Sequence, residues 1–439
     1  MRRDTERPGI EELEADIVAP PAVITGRAMP GSGVLSAFRY RDFSVLWSGA
    51  FVSNLGTWIH TTALLWFVKE LTDSNAWVGA VNLASYLPVF LLVLWAGSLA
   101  DRLDRKKLII ATQAVMMLGA FVLAICVGAG WTSMALIMVI TAVMGVAFVF
   151  NFPAWRAIIP DLVSQEDMLN GIALDAAQFN LARSVGPLLG SLIVGIWSVE
   201  VAFYVNAVSF LAVIVALFMV RTRTPASSQR YGTWKHVTQG VVYALGQHWS
   251  RNLLAVLSVI SFFGLSFLVL LPGVSKDVLG RGSLGYGVLL GAVGVGAVIG
   301  APLVTLLRRR IPERTIIRYT TLGFGLSLLA VSFCRDLWLC LILTTGTGIC
   351  GLMLSATVNT VMQARVEREM RGRMMSLYIL VFQGIFPIGG LFLGLISDLR
   401  SVPFAMCMGG IACSLAGFLL ILFPAFLRDA VSSTESALM

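Results

Sequence analysis

Charge is what this chain has least of. Asp, Glu, Lys and Arg make up 13% of its 439 residues, about half the share found in soluble domains. Hydrophobic residues supply 57% and mean hydropathy is +0.84. One soluble core of this length does not hide that much apolar surface, so lipid must be the solvent for most of the chain. Histidine is scarcer still, at three residues. The six cysteines (Cys126, Cys334, Cys340, Cys350, Cys407, Cys413) lie in or beside apolar runs with no C-x-x-C spacing, which argues against a metal centre or a disulfide framework. No G-x-x-x-x-G-K-[ST] occurs, which excludes direct use of ATP by this chain. No cofactor and no enzymatic activity are expected. The residues before Arg41 are polar and lack an apolar h-region, so they read as a disordered cytoplasmic tail and not as a cleaved signal peptide.

What the chain has is long apolar runs. No charged residue occurs between Leu108 and Trp155, and the turn residues Gly128 to Ser133 divide that run in two. A spanning helix needs about 20 apolar residues. That rule places spans near 43–67, 76–100, 108–128, 132–155, 170–197, 200–220, 252–275, 284–307, 315–334, 337–360, 373–397 and 402–427. The fold class is an all-α membrane protein with twelve transmembrane helices in two six-helix halves. The expected domains are a tail (1–42), an N-terminal bundle (43–220), a cytoplasmic linker (221–251), a C-terminal bundle (252–427) and a second tail (428–439).

The net charge of +8 does not point to nucleic acid, because the basic residues are spread over short connectors. Alternate connectors hold only Lys69, Lys276, Arg281, Arg335 and Arg400, and Arg183 stands inside a helix; every other lysine and arginine falls in the remaining set. Basic connectors stay cytoplasmic, so both termini are expected inside a cell (plasma) membrane. Trp66, Trp77, Trp131, Trp197 and Trp338 fall at the outer ends, as an interfacial belt would. In the linker, Trp234, Val237, Val241 and Leu245 recur at helical spacing, the pattern of a helix lying on the inner membrane surface.

The halves echo each other. Gly186-Pro187-Leu-Leu-Gly190 in the fifth span matches Phe386-Pro387-Ile-Gly-Gly390 in the eleventh, and repeated halves are a recurrent transporter architecture. Between the second and third spans lies Gly97-Ser-Leu-Ala-Asp101-Arg102-Leu-Asp104-Arg105-Lys106-Lys107. This connector resembles the signature loop of the major facilitator superfamily, with Asp104 where that pattern has its second glycine. Asn151, Arg156 and Asp161, then Asn170 and Phe179-Asn180-Leu-Ala-Arg183-Ser-Val-Gly186-Pro187, with Arg371-Gly372-Arg373 later, resemble its exporter branch of siderophore and macrolide efflux proteins.

That resemblance implies alternating access about a cavity between the halves, with Asp101 facing the start of the eleventh helix near Arg371 and Arg373. It implies export of a small amphipathic solute, siderophore or antibiotic-like, in exchange for protons, by a protein working as a monomer. A phospholipid or lysophospholipid flippase is the alternative within transport, and a non-transporting membrane sensor the alternative outside it. Gly186-Pro187 resembles the antiporter motif of drug exporters, as a hinge, a leak-tight contact or a plain packing kink. A charge at the depth of Arg183 must face the protein interior or a wet cavity. It then binds anionic groups, partners a titrating acid or is satisfied by backbone carbonyls. Asp175 is a proton carrier or the beginning of its helix. His60 is a proton-handling or a packing residue, and Asn54 a cavity residue or an interhelical hydrogen-bonder.

Overall fold

The computed structural model describes residues 35–222 and 242–427. The expected surface helix through Trp234, Val237 and Val241 and most of both tails lie outside the described residues.

Among the described residues the regular elements are helical. The long ones are α1 (Arg41–Thr72), α2 (Asn75–Arg102), α3 (Arg105–Gly128), α4 (Met134–Ile158), α5 (Met168–Ile196) and α6 (Val199–Met219). They continue as α7 (His248–Val278), α8 (Ser283–Arg308), α9 (Glu313–Phe333), α10 (Leu337–Arg365), α11 (Met370–Leu399) and α12 (Val402–Leu422). Eleven of these are long and apolar enough to cross a membrane by length and composition. The exception, α1, has the length, with 32 residues, but Asn54, Thr57, His60, Thr61 and Thr62 dilute it. Polar residues at this depth mark interior or cavity faces, and Ser53, His60 and Thr62 are indeed buried.

Local chemistry sets the helix ends. Ser74 Oγ accepts from Trp77 N, Asp336 Oδ1 from Leu339 N and Ser401 Oγ from Phe404 N, at 3.2, 2.9 and 3.3 Å, each satisfying a free first-turn donor. The turn between α3 and α4 closes on Gly130 at φ 77, where a side chain would be strained. Residues 36–40, which the sequence assigned to the tail, are ordered. Ser36–Arg39 form a 3-10 turn with Ser36 and Ala37 buried. Ser36 Oγ donates to Asp167 and accepts from Asn170 Nδ2 at 2.8 Å, while Tyr40 OH donates to Asp167 at 2.9 Å.

Two helices depart from α geometry. α7 carries π turns at Ile260–Leu265 and Val274–Val278, and α11 one at Leu380–Gly384. The hydroxyls of Ser261 and Ser266 donate to the carbonyls of Phe382 and Phe386, each at 2.8 Å. The two helices thus bond side chain to backbone where their turns widen, and such bulges gather at functional sites.

α1 packs on α5 and α6, α3 on α4 and α6, and α2 on α4, which makes one bundle; α8–α10, α9–α10, α9–α12 and α7–α11 make the second. The bundles meet along two seams, α2 against α11 and α5 against α8. The basic connectors sit at one end of the molecule, called here the basic end.

Candidate transport site

The described hydrogen bonds and ion pairs that join the halves gather at the end opposite the basic connectors. Lys69, 2% exposed, pairs with Asp277 at 2.8 Å and with Asp73 at 3.5 Å, and Lys276 pairs with Asp73 at 2.8 Å. Asp73 occupies the left-handed region at φ 52, a conformation Asp tolerates better than most residues. Asp398 at the foot of α11 accepts from Ser74 Oγ, from Asn75 N at 2.8 Å and from Ala76 N at 3.0 Å. A carboxylate of one half therefore caps the first turn of a helix in the other, at the positive end of its dipole. Hydrogen bonds from Lys276, then the charges of Lys69 and Lys276, hold the Asp73 carboxyl below the usual carboxylate range.

Small residues close the seams. Gly287 of α8 lies against Ser191, Gly291 against Leu188 and Gly294 against Ser184 of α5; Gly79 of α2 lies against Gly390 and Leu391 of α11. Added methyls would overlap these neighbours at Gly287 and Gly79 and crowd them at Gly291 and Gly294, so the closest approaches depend on glycine. Gly296 and Gly300 serve α8–α10 packing inside their own half, against Thr345, Gly348 and Ile349. Gly186 lies against Trp58 and Gly190 against Ile59 of α1. Gly186-Pro187 is therefore a tight contact of α5 with α1, while the carbonyl of Pro187 faces Gly287 across the seam.

At mid-depth three helices meet. Arg183 of α5 is half-buried, lies in electrostatic range of Tyr86 of α2, and has no hydrogen bond or ion pair among the described residues. Tyr86 packs edge-on against Phe386 of α11, with ring centroids 6.0 Å apart. A guanidinium without a carboxylate is thus set beside aromatic rings where the halves face each other.

Toward the basic end from Arg183 is a second polar cluster. Asp175, 8% exposed, accepts at Oδ1 from Trp155 Nε1 and Gln178 Nε2, both at 3.1 Å, and Asn54 Nδ2 donates to Gln178 Oε1 at 3.1 Å. The cluster joins α1, α4 and α5. Asp175 stands seven residues past the first residue of its helix, so it does not begin α5. Trp155 and Gln178 were not singled out in the sequence, although Gln178 follows Asp175 at the i+3 spacing that puts both on one face.

The remaining sequence candidates are spread out. His60 is buried in the first half with its ring 4.7 Å from that of Phe203, away from Arg183 and Asp175. Asn151 Nδ2 donates to Thr112 Oγ1 at 2.8 Å, joining α4 to α3. Arg156 is exposed and its guanidinium lies 5.3 Å from the centre of the Phe152 ring. Arg105 and Asp161, expected in separate motifs, pair at 2.5 Å, and Arg105 also donates to the Ala157 carbonyl at 3.0 Å. Asp104 caps α3, accepting from Lys107 N at 3.1 Å, which explains an aspartate at the expected glycine position. Gly97 to Arg102 are helical, and the side chains of Asp101 and Arg102 lie outside the described residues, as does the expected contact of Asp101 with Arg371 and Arg373. Arg371 is exposed, and Arg373 Nη1 lies 3.2 Å from Met370 Sδ. Of the expected tryptophan belt, Trp77, Trp131, Trp197 and Trp338 are exposed, but Trp66 is buried on Tyr286. Its place in the belt is corrected: the ring fills the join between α1 and α8.

Two repeated bundles meeting along two glycine-lined seams define a transporter of the major facilitator fold. Solved structures agree in fold at 11–13% identity. The nucleoside transporter NupG superposes with a TM-score of 0.70 over 88% of this chain and 99% of that chain. A POT family transporter in complex with a thioalcohol-conjugated peptide gives 0.72 over 88% and 97%. A bacterial homologue of the human lysosomal transporter Spinster, inward-facing and unoccupied, gives 0.69 over 89% and 97%. Residues 32–438 match the family described as transmembrane secretion effector, and the chain belongs to that family. It is 24% identical to the staphyloferrin A transporter of Staphylococcus aureus over 83% of this chain and 92% of the relative. It is 22% identical to the multidrug efflux pump Tap of Mycolicibacterium fortuitum over 85% and 94%. Macrolide efflux protein A of Streptococcus pyogenes is 21% identical over 81% and 89%. These relatives and structural neighbours are transporters, not enzymes.

Proposed function

We propose that this protein is a secondary exporter of the cytoplasmic membrane, working by alternating access and driven by protons, for an amphipathic organic anion. The observation that carries the substrate reading is Arg183, a mid-depth guanidinium without a protein carboxylate, beside Tyr86 and Phe386. A siderophore or antibiotic-like solute with a carboxylate and an apolar body meets both demands: the anion neutralises the charge, and the rings cover the body. The names of the relatives support export of small organic solutes.

Placing the basic connectors in the cytoplasm makes the clamped end the outer end. The described cross-half bonds then correspond to a state shut toward the exterior, ready to load from within. One proton entering down about 100 mV supplies about 2.3 kcal/mol, enough for roughly fifty-fold accumulation of a neutral solute. In everted vesicles, uptake of labelled staphyloferrin A is expected to collapse on adding a protonophore; uptake indifferent to it removes the antiport.

A further inference from the structure

We infer that Asp175 is the group that carries the coupled proton, positioned by Trp155, Gln178 and Asn54. This deepens the antiport reading and rests on it.

The environment of Asp175 is unusual for a buried carboxylate. It is 8% exposed, and no cation pairs with it among the described residues. The charged groups on the elements packed against α5 are engaged elsewhere or face away. On α1, Asp42 accepts from Thr222 and Lys69 belongs to the outer clamp, while His60 lies on Phe203. Beside α4, Arg156 lies over Phe152 and Asp161 pairs with Arg105. At the start of α5, Asp167 is held by Ser36 and Tyr40 with Arg39 in electrostatic range, and at the start of α1 Arg41 pairs with Asp42. On α8, Arg308 pairs with Glu313, and on α5 itself Arg183 faces Tyr86. On α6, Glu200 stands in the first turn, at the opposite end.

The donors to Asp175 are neutral, and both bond to Oδ1; Oδ2 receives none among the described residues. A proton added to Oδ2 therefore breaks no hydrogen bond, because Oδ1 still accepts as the carbonyl of the acid, though more weakly than as a carboxylate. Asn54 fixes the amide of Gln178 by donating to its oxygen, which turns the Gln178 NH2 toward Asp175. The charge changes while the network stays in place.

The location also fits. Eight residues along α5 separate Asp175 from Arg183, a rise of about 12 Å, with Asp175 nearer the basic end. In the state clamped at the opposite end, Asp175 gives its proton to the cytoplasmic side while Arg183 takes an anion. In the other state a proton from outside returns Asp175 to the neutral acid.

The test needs no identified solute at its first stage. Infrared difference spectra of the purified protein in nanodiscs, acid minus alkaline buffer, are expected to show the C=O stretch of a protonated buried carboxyl, lost in Asp175→Asn. A band unchanged by that substitution, or no such band in the native protein, overturns the assignment. At the second stage, in proteoliposomes with labelled staphyloferrin A, Asp175→Asn is expected to lose pH-gradient-driven uptake but retain solute–solute exchange, with Asp175→Glu recovering the driven uptake. Loss of both exchange and driven uptake makes Asp175 a packing residue and overturns the inference, as does driven uptake that persists in Asp175→Asn. Native uptake indifferent to a protonophore instead removes the antiport reading and this inference with it.

Discussion

A lone guanidinium at the depth of Arg183 costs at least about 2.5–3.5 kcal/mol on insertion scales, so an ion that pairs with it recovers much of that cost. Charge-assisted hydrogen bonds contribute about 1.5–3 kcal/mol. Arg183→Ala is therefore expected to weaken binding of a carboxylate-bearing solute roughly ten- to a hundred-fold and to leave neutral solutes nearly unaffected, measured by equilibrium binding to the purified protein. Arg183→Lys keeps the charge without the two-pronged geometry and should fall between. Asp73 supplies a pH dependence. Its carboxyl is held below its ordinary value by Lys276 and Lys69. Its contribution to the clamp is thus complete above the ordinary carboxylate pKa and is lost as pH falls through the lowered value. Strong acid should loosen the outer end, seen as a longer pulsed dipolar distance between spin labels at Trp131 and Trp338, while raising the pH above neutrality changes nothing. The depth of Arg183 was legible in the sequence because hydropathy fixes where a helix crosses. The Arg105–Asp161 pair was not, because 56 residues separate the partners and only the packing of α3 on α4 brings them together.

α2 is the helix with most to lose at its end. Its first turn receives its cap from Ser74 within its own half and from Asp398 in the other. Replacing a capping carboxylate costs about 1 kcal/mol. Asp398→Ala should cost that in the clamped state and little once the halves part, shifting the equilibrium about five-fold toward the outward-open form. α8 makes a different demand. Gly287 meets Ser191 and the Pro187 carbonyl so closely that Gly287→Leu cannot be accommodated without parting α5 from α8. Overpacking costs about 1–3 kcal/mol; the variant should insert normally but transport slowly, with its outer end open to thiol reagents. Gly287 and Gly291, then Gly296 and Gly300, are two pairs at four-residue spacing in the sequence of α8, but their division of labour, with one pair facing the other half and one facing α10, is not written in that spacing. Spacing fixes a face of the helix, not the helix it meets. The same limit hid Lys69 and Asp398: each reads as an ordinary end-of-helix charge until α1 and α7, or α2 and α11, are side by side.

Over the whole molecule, apolar runs, alternating basic connectors and the echo of Pro187 in Pro387 carried the fold, since length, hydropathy and repetition are written locally. The closure of one end is not local, because it arises where two bundles meet. The central claim is that the halves rock, so that the two ends open reciprocally. Spin labels at Trp131 and Trp338, both exposed at the outer end, and at Arg156 and Arg371, both exposed at the basic end, report on it directly through pulsed dipolar distances. Breaking the clamp with Lys69→Met and Asp398→Ala together should lengthen the outer distance and shorten the basic one in the same sample. Distances that both lengthen, or that both stay fixed while the clamp is broken, would contradict it.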